Sequence, residues 1–475
     1  MPGARPAGAL KVPIALPCRL PSGGRGVVFG WRRWYRVRFR SRWVGIQGER
    51  GEAMIQHDRS PGQNWAGNYE YGARKLHRPS TMEQAQEIIA AAPRLRVLGS
   101  RHSFNDIADS SELVTLEALP GNVVFDHEAS TVSFNAAMTY GELVETLRAE
   151  GMALHNLASL PHISVAGAVA TATHGSGAEN GNLATAVAGL ELVTSGGEIF
   201  GSARGGSDFE GLVVGLGALG ALTRITLEVE PAYEVRQRVF EDLRWEALYE
   251  GFDEITSGGY SVSVFTRWGE VVDQVWVKSR VTTQPEQVAD DLFGAVAAVV
   301  DRHPIPGMDA GLCTPQLGVP GSWADRLPHF RLGFTPSSGD EIQSEYLVPR
   351  RHAVGAIEAV RSLADEIRPL LQMSEIRSVA ADRLWMSMNY GEDTVGLHFT
   401  WKLRPGEVGD RVVRLEAALA PFEARPHWGK LFHAGAEAIA PLYPRLPDFV
   451  RLIERLDPRG AFRNPWLEKH VLGGA

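Results

Sequence analysis

Cysteine is nearly absent: Cys18 and Cys313 are the only two in 475 residues. This excludes a disulfide scaffold and any cysteine-based structural zinc site. The chain has no Asn-x-Ser/Thr sequon, which together with the cysteine count predicts a cytoplasmic protein. It has no run of about eighteen apolar residues, so no helical membrane span is expected. Positive charge is scarce beyond the first fifty residues. Residues 1–53 hold eleven Lys/Arg against two Glu, a balance of +9, which leaves −17 for the remainder of a chain whose net charge is −8. A body so acidic repels nucleic acid and anionic membrane, and neither is an expected partner. What remains is an ordinary globular composition, 44% hydrophobic and 22% charged, long enough for roughly two to four domains.

The basic N-terminus reads differently from the rest. Trp31 to Arg40 alternates bulky and basic residues without helical periodicity, amid Pro and Gly. It lacks the apolar core of a signal peptide. Residues 1–57 are expected to be a disordered or non-native extension, with Met54 as a natural start, the alternative being a basic tail for a membrane or partner.

The stretch that organises the chain is Ser159 to Gly177. From Ile163 onward it contains only Gly, Ala, Ser, Thr, Val and Ile apart from His174. Without charge or bulk, such a tract offers its backbone N–H groups to something flat and phosphorylated. The expectation is a buried dinucleotide cradle; close packing of two chain segments is the alternative.

Around it the pattern is α+β. A helix begins at Met82 with Thr81 or Ser80 as N-cap and stops before Pro93. Arg94–Leu98 alternates as a strand ending at Gly99, followed by the polar turn Ser100-Arg101-His102-Ser103-Phe104-Asn105, at a sheet end where ligands sit. Val123–Phe125 and Thr131–Phe134 form a hairpin, Tyr140–Glu150 a helix, and Gly189–Thr194 and Leu222–Glu230 further strands. Gly215 to Gly220 matches G-x-G-x-x-G, but a helix precedes it and a strand follows, the reverse of a Rossmann unit. It is a turn with close packing.

From Pro231 the character changes, and residues 231–434 read as a second domain. Tyr260–Phe265 is a strand and Glu286–Val300 a helix, and Gly307–Gly321 is a long irregular connection. Glu375 with Arg377, and His398 with Thr400, stand at i and i+2 in extended settings, so each pair points to one face. With Lys430 nearby they suggest a pocket for a polyhydroxylated ligand; a solvated sheet face is the alternative.

The motifs Val97-Leu98-Gly99-Ser100-Arg101-His102-Ser103-Phe104-Asn105, Ala158 to Gly177, Gly217 to Gly220, Thr335 to Gly339, Glu375-Ile376-Arg377 and His427-Trp428-Gly429-Lys430 resemble those of vanillyl-alcohol oxidase type flavoproteins. Within that group the chain is similar to the alditol oxidases, relatives of the aldonolactone oxidases. The likeness covers about Asn64 to Asn464. One departure is Arg101, where the family has Gly.

The resemblance implies a two-lobed FAD-binding domain over 58–230, a substrate-binding cap over 231–434, and a C-terminal segment 435–475 returning to the first. It implies FAD attached covalently through His102. Val97, Leu98, Gly99, Ser100, Arg101, Ser103 and Ser159 would line the cofactor, Ser164, Gly167, Ala168, Val169, Ala170 and Thr171 would wrap its pyrophosphate, and Ala221 would lie near the adenine. Arg377 and Lys430 would hold the reacting oxygen of a polyol, with Glu375, Ser159 and Thr400 binding its other hydroxyls. His398 would be a hydroxyl ligand or the proton acceptor. Ala158, small and beside Ser159, matches the position over the flavin where side-chain bulk limits oxygen access. The implied partners are a small polyol and O2, the protein acting as a monomer without metal, nucleic acid or membrane.

Overall fold

In a computed structural model, residues 61–282, 291–331 and 341–473 are described. The expectations for residues 1–57 and for Thr335–Gly339 fall outside them. The helix Met82–Ala91 forms where expected, and Thr81 is its cap, its side chain accepting from Gln84 N. It leads into a small parallel sheet in which Glu112–Val114 lies between Lys75–His77 and Leu95–Val97. The helix Tyr140–Ala149 starts with a reciprocal cap between Thr139 and Glu142. A five-stranded antiparallel sheet follows in the order Val124–Asp126, Thr131–Asn135, Ala221–Glu228, Val187–Val193, Ile199–Ala203. The reversed glycine motif is a turn entering Ala221–Glu228. Gly220 has φ +149°, and a Cβ there would lie 2.7 Å from Val193 O, so only glycine fits that approach.

Residues beyond 231 build a large antiparallel sheet. Its central strands run Glu234–Arg244, Val271–Arg280, Ser261–Thr266, Leu371–Val379, Thr394–Lys402 and Glu341–Pro349. The last three alternate apolar side chains with Glu, Gln, Arg, His and Thr, as a sheet does when one face packs and the other lines a site. The helices Ala353–Arg361 and Pro405–Leu419 pack on the apolar side.

The helix expected over Glu286–Val300 is not formed in residues 291–300. Asp291–Leu292 and Ala295–Ala297 are a hairpin at the sheet edge, and residues 286–290 lie outside the described ones. Phe293 and Gly294 both have positive φ (54° and 87°), the requirement of a tight two-residue turn. The apolar residues there serve a turn and edge strand instead of a helix face.

The C-terminal segment returns to the first strands. Leu95 N donates to Ala461 O, Arg96 Nη1 to Phe462 O, and Asn464 Nδ2 to Ile107 O. Among the described residues no helix is long and apolar enough to cross a membrane.

Candidate active site

The turn after Leu95–Val97 meets the small-residue tract at one end of the large sheet. Gly99 makes the meeting possible, because a Cβ there would lie 2.6 Å from Ser164 Oγ. Ser100 Oγ accepts from Ser164 N (2.9 Å), and Ser164 starts the short helix Val165–Ala170. A Cβ on Gly167 would also strike Ser164 Oγ, at 2.8 Å. At its far end the tract joins the sheet, Gly177 N donating to Ser378 O.

These pieces enclose a cavity of about 290 Å³. Val97, Leu98, Gly99, Ser100, Arg101, His102, Ser103, Ala158, Ser159, Ser164, Gly167, Ala168, Ala170 and Thr171 line one side. Glu375, Arg377, His398, Thr400 and Lys430 line the other. A second cavity of about 120 Å³ shares Val97, Leu98, Gly99, Ser164, Gly167 and Ala170 and runs on toward Ala136, Leu192 and Gly220. Val169 and Ala221 line neither. Both are fully buried, Val169 in the main core and Ala221 beside Val193 and Phe462. Ala221's neighbours Gly220 and Leu222 do reach the second cavity.

His102 is stacked on Trp65, with ring centroids 5.2 Å apart. Its Nδ1 is buried without a hydrogen-bond partner. Burial, helped by Lys430 and His162, pulls its pKa down to about 4 against the opposing pull of a Ser100 backbone group, so the imidazole is neutral. Arg101 before it has φ +63°, a conformation that glycine adopts without cost.

The polar wall comes from cross-strand rows. Glu375 pairs with His398, and His398 with Glu345 on the next strand. Arg377 pairs with Gly396, whose missing side chain leaves room for Glu345 Oε1 and the His174 ring. Arg377 Nη2 donates to Glu345 Oε1 at 2.8 Å, and its Nε lies 3.6 Å from Glu375 Oε1. That Nε is buried and makes no hydrogen bond. Burial is the largest single influence and would raise both carboxyls, but Arg377 together with His174 and His398 at Glu345, and with His329 and His398 at Glu375, outweighs it and holds both well below the usual range. The same carboxylates keep Arg377 charged against its burial.

Lys430 arrives on the turn His427–Lys430 and donates to Gln343 Oε1, with Nζ 4.9 Å from the Phe104 ring centre. Its side chain is partly buried in the cavity lining, and burial is the largest influence, lowering its pKa to about 8. His398 Nε2 lies 3.2 Å from the same Gln343 oxygen, and burial with Lys430 and Arg377 pulls His398 down to about 3.

The two sides are tied together. Phe104 N donates to Gly429 O (2.8 Å), and Asn105 Nδ2 donates to Trp428 O and Lys430 O.

Sequence reasoning missed Gln343, Glu345, His174 and His329. Glu341, Gln343 and Glu345 stand at i, i+2 and i+4 on one strand, the same spacing that revealed Glu375 and Arg377. His174, Glu345 and His427 bring potential metal ligands within 4.8 Å of one another. Arg377 already occupies Glu345, and His427 Nδ1 accepts from Gly429 N (3.1 Å). A cation there would face a guanidinium and an imidazole whose lone pair is in use, so the cluster serves as the anchor of Arg377.

Comparison with known proteins agrees with this geometry. Residues 73–201 match the family described as FAD binding domain, and residues 340–470 match D-arabinono-1,4-lactone oxidase. The fold is similar to cholesterol oxidase from B. sterolicum, with a TM-score of 0.71 at 15% identity over 88% of this chain and 97% of that one. Fold and site thus define a flavoprotein oxidoreductase of the vanillyl-alcohol oxidase type. An alditol oxidase from a Streptomyces species is 48% identical over 409 residues, 85% of this chain and 97% of its own. The L-gulono-1,4-lactone dehydrogenase of Mycobacterium tuberculosis is 26% identical over 427 residues, 86% of this chain and 98% of its own. The chain belongs to the alditol oxidase family. FAD fits the cavity: the glycine approaches at Gly99 and Gly167 leave bare backbone for a flat phosphorylated group, and His102 in its lining carries a buried Nδ1 with no hydrogen-bond partner.

Proposed function

We propose that the protein oxidises the terminal primary alcohol of a linear polyol such as xylitol or sorbitol to the aldose, RCH2OH + O2 giving RCHO + H2O2. The observation that carries this reading is the convergence of Glu375, Arg377, His398, Thr400 and Lys430 in the cavity that also holds His102. Residues 58–230 and 435–475 would hold FAD, and 231–434 would form the substrate side. Bound there, FAD would supply the acceptor for the hydride of the carbinol carbon and the route of its electrons to O2.

His102 would carry the flavin covalently through its unpartnered nitrogen, since a neutral imidazole is the nucleophilic form. Lys430 and Arg377 would flank the reacting oxygen and favour its alkoxide character. Glu375, held ionised, would accept hydrogen bonds from neighbouring hydroxyls, and Ser159 and Thr400 would add more. His398 is a poor store for a proton between two cations, so we assign it to hydroxyl ligation. Ala158, buried beside Ser159, would govern oxygen access by its size. The low cysteine count supports a cytoplasmic setting.

A second reading, an aldonolactone oxidase, is favoured by the match of residues 340–470, which span Arg377 to Lys430. A panel of xylitol, sorbitol, glycerol and a gulono- or galactonolactone, read as hydrogen peroxide, separates the two. Peroxide from the lactone alone would overturn the polyol reading.

A further inference from the structure

Behind the polar wall lies a buried lysine that the proposed chemistry does not use. Lys278, on the strand Val271–Arg280, is 1% exposed. Its Nζ meets three acceptors: Leu327 O at 2.5 Å, Pro328 O at 3.4 Å and His329 Nδ1 at 3.2 Å. An ammonium has three N–H groups, and here each has a place to go. His329 Nε2 in turn lies 2.8 Å from Glu375 Oε1. The ring is wedged edge-on between Phe265 and Trp276, with centroids 5.3 and 5.4 Å away, and Thr314 N ties its backbone carbonyl. A ring so confined has one freedom left, which nitrogen carries the hydrogen.

We propose that Lys278 and His329 are positioning residues for Glu375: the ammonium occupies Nδ1, so the ring always presents Nε2–H to Glu375 Oε1 and leaves the other carboxylate oxygen for a substrate hydroxyl. The role given to Glu375 rests on the polyol reading. Without the ammonium nothing keeps the hydrogen off Nδ1, and in the share of molecules where it moves there an Nε2 lone pair faces the carboxylate and Glu375 loses its hold.

Burial lowers Lys278 to about 7 despite the opposing pull of Glu375 and Cys313, with Arg377 pushing the same way as burial. His329 falls to about 4, by burial first and then Lys278, so it is neutral throughout the working range. Glu375 and Arg377 on the strand Leu371–Val379, and Cys313 and His329 on the chain between residues 313 and 331, are the charged or titratable groups acting on the pair. A deprotonated Lys278 has two N–H for three acceptors, and where both go to the carbonyls its lone pair faces Nδ1, which then carries the hydrogen. The device is therefore set at low pH and released as pH rises through about 7.

The test uses the full-length, flavin-loaded protein and xylitol. One charge-assisted hydrogen bond predicts that Lys278→Met raises KM about tenfold, with kcat within about threefold of wild type. Wild-type KM should rise above about pH 7 and the variant's should be flat. In His329→Gln the amide keeps an N–H for Glu375 but has no tautomers, so adding Lys278→Met to it should change KM by less than about twofold. A Lys278→Met variant with wild-type KM and pH profile overturns the proposal, as does an equal effect in the Gln background.

The imidazole nitrogens of 15N-histidine-labelled protein, assigned by the signal missing in His329→Gln, give an answer independent of turnover. They should show Nε2–H at about pH 6 and a switch as wild type is titrated through about pH 7, which needs no folded variant. A fixed tautomer through that range overturns the proposal. A switching tautomer in a protein that leaves xylitol untouched would instead remove the polyol reading.

Discussion

Lys430→Met is the sharpest test of the catalytic assignment. Arg377 is held between Glu345 and Glu375, so its charge is largely compensated. Lys430 instead donates to the neutral amide oxygen of Gln343, which leaves its charge available to an oxygen in the cavity. Methionine keeps most of the length and removes the ammonium. An interaction that strengthens only as charge develops on the carbinol oxygen is lost from the rate of flavin reduction, not from binding. Removal of such a donor costs about two to three orders of magnitude, or roughly 3–4 kcal/mol. The pH dependence adds a second signature. Burial brings Lys430 to about 8, so the ammonium persists below that pH and is lost above it. The reduction rate should hold below about pH 8 and fall above it, and the fall should be missing in the variant. Anaerobic stopped-flow with xylitol, after flavin content is matched, measures both. A rate within about threefold of wild type, or one that climbs through about pH 8, would refute the assignment.

Glu375→Gln should raise KM for xylitol more than it lowers kcat, because the hydroxyls it binds keep their charge through the reaction; steady-state kinetics on both parameters checks this. Wild-type protein should stay yellow after denaturation and gain the mass of FAD, whereas His102→Ala should release its flavin; a wild type whose flavin washes off contradicts the covalent link. Arg101→Gly should leave the fold intact and stabilise it by up to about 1 kcal/mol, since φ +63° strains a side-chain-bearing residue by about 1–2 kcal/mol and glycine's extra freedom when unfolded returns part of that. Thermal unfolding measures it, and a loss of more than about 1 kcal/mol would show that the Arg101 side chain matters more than its backbone.

Legibility in the sequence followed the range of the interactions. The cap at Thr81 and the shared face of Glu375 and Arg377 depend on residues two or three apart, and each was readable as a local pattern. The hairpin at Phe293-Gly294 was not, because its apolar residues fit either period and only the backbone at the turn decides. Gln343 and Glu345 stand on the strand beside His398 and Thr400, yet nothing in a linear reading says that Glu341–Pro349 pairs with Thr394–Lys402. His329 is stranger still to sequence logic, since Glu375 reaches it across 46 positions from a segment without regular structure.

The bonds from Phe104 and Asn105 to the turn Trp428–Lys430 close a loop of more than 320 residues. With Arg96 bonded to Phe462 O, the walls of the cofactor slot are drawn from segments more than 320 residues apart. On a ribosome the turn bearing His102 therefore emerges long before the residues that hold it in place. A stalled nascent chain ending before residue 428 should retain less FAD than one that includes Trp428–Lys430, since the first lacks the residues that fix this wall.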